Sequence, residues 1–164
     1  MLLYKAKKFE LIKERISLPN GSSTEAEYIK HNGATTIIPL IGGKVIMERQ
    51  YRYVIRRYVY ELPAGTIKEG ERPVECARRE LKEETGYVAR SMKELFWSYS
   101  TPGISTEKIY FFLAKGLKKE KKSLEKNEII TTRAFRIEEA ISMIKSGKIV
   151  DGKTIQGLLF FNFL

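Results

Sequence analysis

The chain has 164 residues, 43% of them hydrophobic and 30% charged, which allows a buried core and excludes a disordered protein. No apolar run approaches the ~20 residues that span a bilayer, and the N-terminus lacks the apolar stretch of a signal peptide, so we expect a cytoplasmic protein. The formal net charge of +10 indicates a polyanionic partner, although a lysine-rich run at 115–126 is interpreted as a solvated loop.

Turn signals divide the chain into short β-branched and aromatic runs that predict strands. Asn32-Gly33 is a strong hairpin signal between two of these strands, and Gly42-Gly43 turns one strand back into the next. The predicted strands cover 5–18, 26–31, 34–41, 44–49, 58–62, 88–100, 109–114 and 129–135.

Three segments have helical signals. The first, 73–85, begins at a proline, ends before Gly86 and keeps its apolar side chains on one face. Two further helices, 137–146 and 151–160, close the chain, with Asp151 as the N-cap of the last. Strands and helices without a repeat or a linker predict one α+β domain over the whole chain, with a largely antiparallel or mixed sheet.

The first helix carries a cluster of like charges. At ~100° per residue, Glu80, Glu83 and Glu84 fall within an arc of about 100° beside the apolar face. Such carboxylates repel one another more strongly near a buried face, because the local dielectric constant is lower. Either the arginines of the same segment neutralise them, or a divalent cation such as Mg²⁺ or Mn²⁺ does.

The cysteine and histidine content gives little support for a disulfide, a zinc site or a nucleophilic thiol. Cys76 and His31 are the only residues of their types, so an intrachain disulfide is impossible and a structural zinc site is not expected. The counts leave a nucleophilic pair of Cys76 and His31 open, although no neighbouring residue indicates an activated thiol.

The stretch 65–87 resembles the Nudix box. That pattern is Gly, five residues, Glu, seven residues, Arg-Glu, an aliphatic residue, any residue, Glu-Glu, any residue, Gly and an aliphatic residue. Only Tyr87 departs from it, at what we interpret as a packing position. The matching residues are Gly65, Glu71, Arg79, Glu80, Leu81, Glu83, Glu84 and Gly86.

The resemblance implies a Nudix-like α/β/α sandwich with a mixed central sheet, and a set of metal ligands. Glu80 and Glu84 would ligate Mg²⁺, or Mn²⁺ in its place, together with the backbone carbonyl of Ala64. Glu83 would be a further ligand or a catalytic group that orients water. In the same pattern, Arg79 would hold the carboxylates by a salt bridge, and the glutamate at 71 would brace the loop before the helix.

Flanking residues resemble the ADP-ribose pyrophosphatase branch of this family. Shared features are Gln50-Tyr51-Arg52, the entry 61–65 with the sequence Glu-Leu-Pro-Ala-Gly, Pro102, and the late segment 151–154. The resemblance implies that Arg52 contacts a substrate phosphate, as a fixed guanidinium fork suits. The resemblance implies four other substrate-binding residues. Glu61 and Glu107 would lie near the ribose or the metal, Gly65 would let the backbone approach the substrate closely, and Pro102 completes the set.

The branch also implies a catalytic base and a dimer. Its base lies on a late loop, where this chain has Glu128, which we favour, and Glu125. Members form homodimers in which N-terminal strands reach the partner. The segment 1–32 is compatible with that role, which leaves 33–164 as the Nudix core.

We therefore expect Mg²⁺-dependent hydrolysis of the pyrophosphate bond of ADP-ribose, or of a related nucleoside diphosphate sugar, to AMP and ribose 5-phosphate. Clustered metal ions would neutralise the pyrophosphate oxygens and supply a nucleophile near neutral pH. Alternatives are another nucleotide substrate, such as GDP-mannose, NADH or an oxidised nucleoside triphosphate, and a non-catalytic RNA-binding Nudix module. Because every metal-binding glutamate is retained, nucleic acid is not the expected partner, and neither is a membrane.

Overall fold

The computed structural model describes residues 1–124 and 129–164, and its strands form two separate sheets. The smaller sheet is antiparallel, with the order β1-β2-β3. Its strands are β1 (Leu2–Lys5), β2 (Phe9–Ser17) and β3 (Ser23–His31). This confirms the N-terminal antiparallel region, although the predicted strand 5–18 is interrupted where the Ala6 N–H donates to the Phe9 carbonyl at 2.9 Å.

The larger sheet has seven strands and contains the core of the molecule. Its order is β10-β5-β4-β9-β8, with β6 paired to β5 and β7 paired to β4. Only the β4–β9 pair among these described strands is parallel, so the sheet is mixed, as predicted. The strands are β4 (Ala34–Ile41), β5 (Lys44–Arg52), β6 (Arg57–Glu61), β7 (Ala64–Thr66), β8 (Tyr87–Tyr99), β9 (Lys108–Lys119) and β10 (Ile130–Arg136).

Helices cover both faces of this sheet, which confirms the α/β/α sandwich. They are α1 (Pro73–Glu80), α2 (Ile137–Lys145) and α3 (Gly152–Asn162). Successive strand residues point to opposite faces. Accordingly, Ile37 packs with α1, and Ile38 packs with α2 and α3. No helix in 1–124 or 129–164 combines the length and the hydropathy needed to cross a bilayer.

Asn32-Gly33 does not form the predicted hairpin. β3 pairs with β2, and β4 pairs with β5, β7 and β9, so the chain passes here from one sheet to the other. Gly33 has a φ of +93°, and a Cβ at this position would lie 2.9 Å from the Lys108 carbonyl oxygen. Gly33 therefore allows two backbone segments to approach closely. An Asn-Gly pair does not distinguish this role from a hairpin turn, because both favour a glycine with positive φ.

Two local features differ from the sequence-based expectation. β7 is too short for its period to be read, and it was not predicted. The predicted helix 73–85 is α-helical only to Glu80 and continues as one π-helical turn, Leu81–Thr85. Gly86 ends it in the left-handed conformation, as predicted. Single π-helical turns are rare and frequently lie at functional sites.

Candidate active site

The start of β7 meets the last turns of the first helix. The Ala64 N–H donates to Oε2 of Glu84 at 2.9 Å. A Cβ on Gly65 would lie 1.9 Å from Cδ and Oε1 of Glu80, so only glycine lets this carboxylate lie against the chain. The structure thus brings two predicted metal ligands together with Ala64–Gly65.

Arg79 organises the remaining carboxylates. Its Nε and Nη2 donate to Glu71 at 2.8 and 2.9 Å, and Nη1 donates to Glu80 and, at 3.1 Å, to Glu83. Glu71 also accepts the backbone N–H of Lys68 at 2.9 Å. The expected salt bridge is present, and it ties the loop before α1 to the helix itself.

The same contacts shift the ionisation of two groups. The guanidinium of Arg79, helped by the Lys68 N–H, lowers the pKa of Glu71 to about 2 against a smaller opposing effect of burial. Burial raises the pKa of the Cys76 thiol to about 12. The buried Cys76 thiol donates to the Gly65 carbonyl, whereas Nδ1 of His31 accepts the Gly33 N–H, so the described contacts do not form a nucleophilic pair of these two residues.

The donor set fits a divalent cation. Four carboxylates lie in this part of the site: those of residues 71, 80 and 83 pair with the guanidinium of Arg79, and that of Glu84 accepts the Ala64 N–H. Glu80 and Glu84 are at most 8% exposed, and buried carboxylates need compensating charge. Within the described ranges, no group of three or more His, Cys, Asp or Glu side chains is already arranged as a metal site. Arg79 currently orients two of the predicted ligands, Glu80 and Glu83.

A second charged group lies beside this one, at the end of β5. Nε and Nη2 of Arg52 donate to the two carboxylate oxygens of Glu61 at 2.6 and 2.7 Å. Glu61, 2% exposed, also accepts from Nζ of Lys153, which donates to Asp151 at 2.7 Å. Arg52, Glu61 and Asp151 line a cavity of about 310 Å³. Its apolar walls come from Val54, Ile55, Val59 and Val150.

The two charged groups belong to one site. Glu61 and Ala64 are three residues apart, a span of at most ~11 Å. The hydrogen bond to Glu61 is the main cause that raises the pKa of Arg52, and Asp151 and Glu84 add to it through their charges. The phosphate-binding candidate and a metal-ligand candidate are therefore close enough to interact electrostatically.

Pro102 and Glu107 lie apart from these two charged groups, where the two sheets meet. Pro102 is in an exposed turn whose Ile104 carbonyl accepts the Ile29 N–H of β3 at 2.9 Å. Oε1 of Glu107 is 3.7 Å from Nδ1 of His31. In the described part of the chain, neither residue has a recorded bond to Arg52 or Glu61, with which the sequence grouped them. The candidates for the base, Glu125 and Glu128, lie outside the described residues.

Sequence reasoning missed the role of Lys153. Asp151 is the N-cap of α3, as predicted, and accepts the Thr154 N–H at 3.0 Å. A cation in the first turn of a helix faces the positive end of the helix dipole, which is unfavourable. A lysine at that position was therefore a usable signal for an anionic partner, here Glu61.

The chain is similar to known proteins over most of its length. The family model described as NUDIX domain matches residues 30–158. The chain is 34% identical over 161 residues to an ADP-ribose pyrophosphatase of Bacillus subtilis, covering 96% of this chain and 87% of that protein. It is also 34% identical to a GDP-mannose pyrophosphatase of Yersinia enterocolitica, with coverages of 93% and 87%.

A solved structure shares the fold. The crystal structure of an ADP compounds hydrolase superposes with a TM-score of 0.85 at 21% identity, covering 99% of this chain and 89% of that one. At this identity the likeness shows the fold alone.

Proposed function

Because the chain belongs to the Nudix family and is a Nudix hydrolase, we propose that it hydrolyses the pyrophosphate bond of ADP-ribose to AMP and ribose 5-phosphate in the presence of Mg²⁺. One observation carries the proposal: the buried carboxylates of Glu80 and Glu84 lie against Ala64–Gly65, beside the phosphate-binding candidate Arg52. Such an arrangement suits a substrate that has both linked phosphates and a bound divalent cation.

The proposal assigns a role to each part of the site. Glu80 and Glu84 hold Mg²⁺, or Mn²⁺ in its place, with the Ala64 carbonyl, and Glu83 is a further ligand or orients water. When bound, the cation neutralises the pyrophosphate oxygens and supplies a nucleophile near neutral pH. Arg52 contacts a substrate phosphate through the part of its guanidinium that Glu61 leaves open.

Three further residues keep the roles that the family resemblance implies: Glu61 and Glu107 lie near the ribose or the metal, and Pro102 contributes to substrate binding. Gly65 acts indirectly, because the Glu80 carboxylate occupies the space beside it. Glu128, with Glu125 as the alternative, is the proposed base.

ADP-ribose is favoured by the relatives and by the flanking residues. Two relatives that cover most of the chain are ADP-ribose pyrophosphatases, from Bacillus subtilis and Mycobacterium tuberculosis. GDP-mannose is the second candidate, because a GDP-mannose pyrophosphatase is 34% identical to this chain.

We also propose that the chain is one cytoplasmic Nudix domain that forms a homodimer. In this proposal, 33–164 is the core and 1–32 reaches the partner. The support is the separate N-terminal sheet, which exposes its first strand and is joined to the core beside the loop that contains Pro102.

A substrate panel tests the activity directly. Purified protein is incubated with Mg²⁺ and ADP-ribose, GDP-mannose, NADH, an oxidised nucleoside triphosphate or an RNA oligonucleotide, and the products are resolved by chromatography. We expect AMP and ribose 5-phosphate from ADP-ribose, no turnover in EDTA, and recovery with excess Mg²⁺. Preferred hydrolysis of another compound would move the assignment to it, and RNA binding without any hydrolysis would contradict the proposal.

A substitution ties that activity to the metal ligands. Glu84→Gln keeps an oxygen that can accept the Ala64 N–H but removes the charge, so we expect kcat to fall by roughly 100-fold or more with the fold intact. The exposed Glu94→Gln on β8 is the matched control and should retain wild-type activity. Unchanged turnover in Glu84→Gln would remove Glu84 from the metal site.

A further inference from the structure

The first turn of α3 holds its cation in a fixed position. Lys153 is 17% exposed, and its ammonium lies between Oδ1 of Asp151, at 2.7 Å, and Oε2 of Glu61. Two further bonds fix this turn: Asp151 caps Thr154, and the hydroxyl of Thr154 accepts the Leu62 N–H at 2.8 Å. The helix terminus is therefore locked to the strand end that carries Glu61.

We propose that Lys153 is a positioning residue that controls Arg52 through Glu61. The inference rests on the proposed function, in which Arg52 binds a substrate phosphate. Lys153 itself is not proposed to contact the substrate, so it acts only by fixing the orientation and the charge of the group that does.

The geometry of Arg52 supports this role. Glu61 occupies one edge of the guanidinium, through Nε and Nη2. Among the described residues Nη1 has no recorded acceptor, and 38% of the side chain is exposed beside the cavity. Nη1 is therefore available to an oxyanion only while Glu61 holds the opposite edge. A fork held on one side is preorganised for bidentate or charge-assisted contact on the other.

The charge balance supports it as well. The two cations Arg52 and Lys153 are matched by the two carboxylates Glu61 and Asp151, so this group is neutral. Loss of the lysine charge would leave a net charge of −1 at the site of a polyanionic substrate. Among the described residues, Glu61 would then pair with Arg52 alone. Its negative charge would neutralise the guanidinium of Arg52 more completely.

Steady-state kinetics with ADP-ribose and Mg²⁺ test the proposal. Lys153→Met should raise KM about tenfold and leave kcat within about threefold, because phosphate binding is lost equally from the ground state and the transition state. Lys153→Arg, which keeps the charge, should restore KM to within about threefold of wild type. Lys145→Met, an exposed lysine of α2, is the matched control and should match wild type.

A double-mutant cycle separates positioning from a merely structural role. If Lys153 acts through Arg52, Lys153→Met should not raise KM further in an Arg52→Met background. Additive effects on KM would overturn the proposal, as would an unchanged KM in the single variant or a loss confined to kcat.

Circular dichroism would show whether Lys153→Met folds, and a second variant tests the proposal if it does not. Asp151→Asn keeps an N-cap acceptor for Thr154 but removes the carboxylate that holds Lys153, so it should raise KM in the same direction by a smaller factor. Unchanged KM in a folded Asp151→Asn variant would count against the proposal. Wild-type protein that hydrolyses none of the panel would overturn the proposed function itself, whereas active wild type with unaffected variants overturns only this inference.

Discussion

At the scale of single residues, the site depends on a glycine that leaves room for a carboxylate and on an arginine that pairs with it. Gly65 has no side chain because the Glu80 carboxylate occupies that volume. Arg79 is surrounded by three carboxylates, so its position determines theirs. Both residues position the Glu80 carboxylate: Gly65 leaves space for it, and Arg79 pairs with it.

Gly65→Ala should therefore impair metal use more than folding. The new Cβ would displace the end of a flexible side chain rather than backbone, so we expect kcat at a fixed Mg²⁺ concentration to fall roughly 100-fold, with Tm nearly unchanged. Gly103→Ala is the control, because a Cβ there meets nothing within 4 Å. A Gly65→Ala enzyme with wild-type Mg²⁺ dependence would show that Glu80 is not a ligand.

The low pKa of Glu71 makes stability depend on pH. A carboxyl whose folded pKa, about 2, lies below its ordinary value of 4.5 stabilises the fold above the ordinary value, and this contribution is lost as the pH falls through the folded value. Glu71→Gln should thus lower Tm by several degrees at pH 7, and the difference should shrink from about pH 5 and vanish near pH 2.

Thermal unfolding in EDTA across that pH range measures this difference without interference from metal. The exposed Glu69→Gln, two residues away, serves as the control. A Glu71→Gln difference that stays constant between pH 7 and pH 2 would contradict the ion pair with Arg79 as its origin.

At the scale of elements, the N-terminal sheet exposes the apolar side chains of its first strand. Leu2, Leu3 and Tyr4 of β1 are 51%, 41% and 61% exposed. Contiguous exposed apolar groups commonly mark an interaction surface. In the proposed homodimer this strand would contact the partner.

Tyr4→Glu should weaken that dimer, because burying an unpaired carboxylate at an interface is costly. Light scattering after size exclusion should give a mass near twice 19.0 kDa for wild type and a shift towards 19.0 kDa for the variant at micromolar concentration. Phe163→Glu, at the exposed C-terminal end, is the control and should stay dimeric. A monomeric wild-type protein would refute the assignment.

The π-helical turn is the other feature that acts at this scale. Glu83 and Glu84 lie in Leu81–Thr85, whereas Glu80 is the last residue of α1. The predicted arc assumed ~100° per residue throughout, and a wider turn changes the direction of the later side chains. Glu84 then reaches the Ala64 N–H, while Glu83 stays with Arg79.

At the scale of the whole molecule, the sheet brings distant segments to one edge. β4 pairs with β7 along one edge and with β9 along the other, so the glycine entry to the helix lies across β4 from the start of β9. α3 then returns from the end of the chain to β6, where Thr154 and Lys153 contact residues about 90 positions earlier. The site is thus closed by long-range contacts that no local pattern contains.

The sequence by itself determined what depends on local spacing. It determined the amphipathic helix with its carboxylates, the Arg79 salt bridge, the N-cap Asp151, the helix stop at Gly86 and most strands of the mixed sheet, because these follow from periodicity, capping and a long specific motif. The tertiary structure alone decided the course of the chain at Gly33, the short strand β7, the π-helical turn and the partner of Lys153. Each of these is selected by contacts between segments far apart in the chain, and their free energies outweigh local preference.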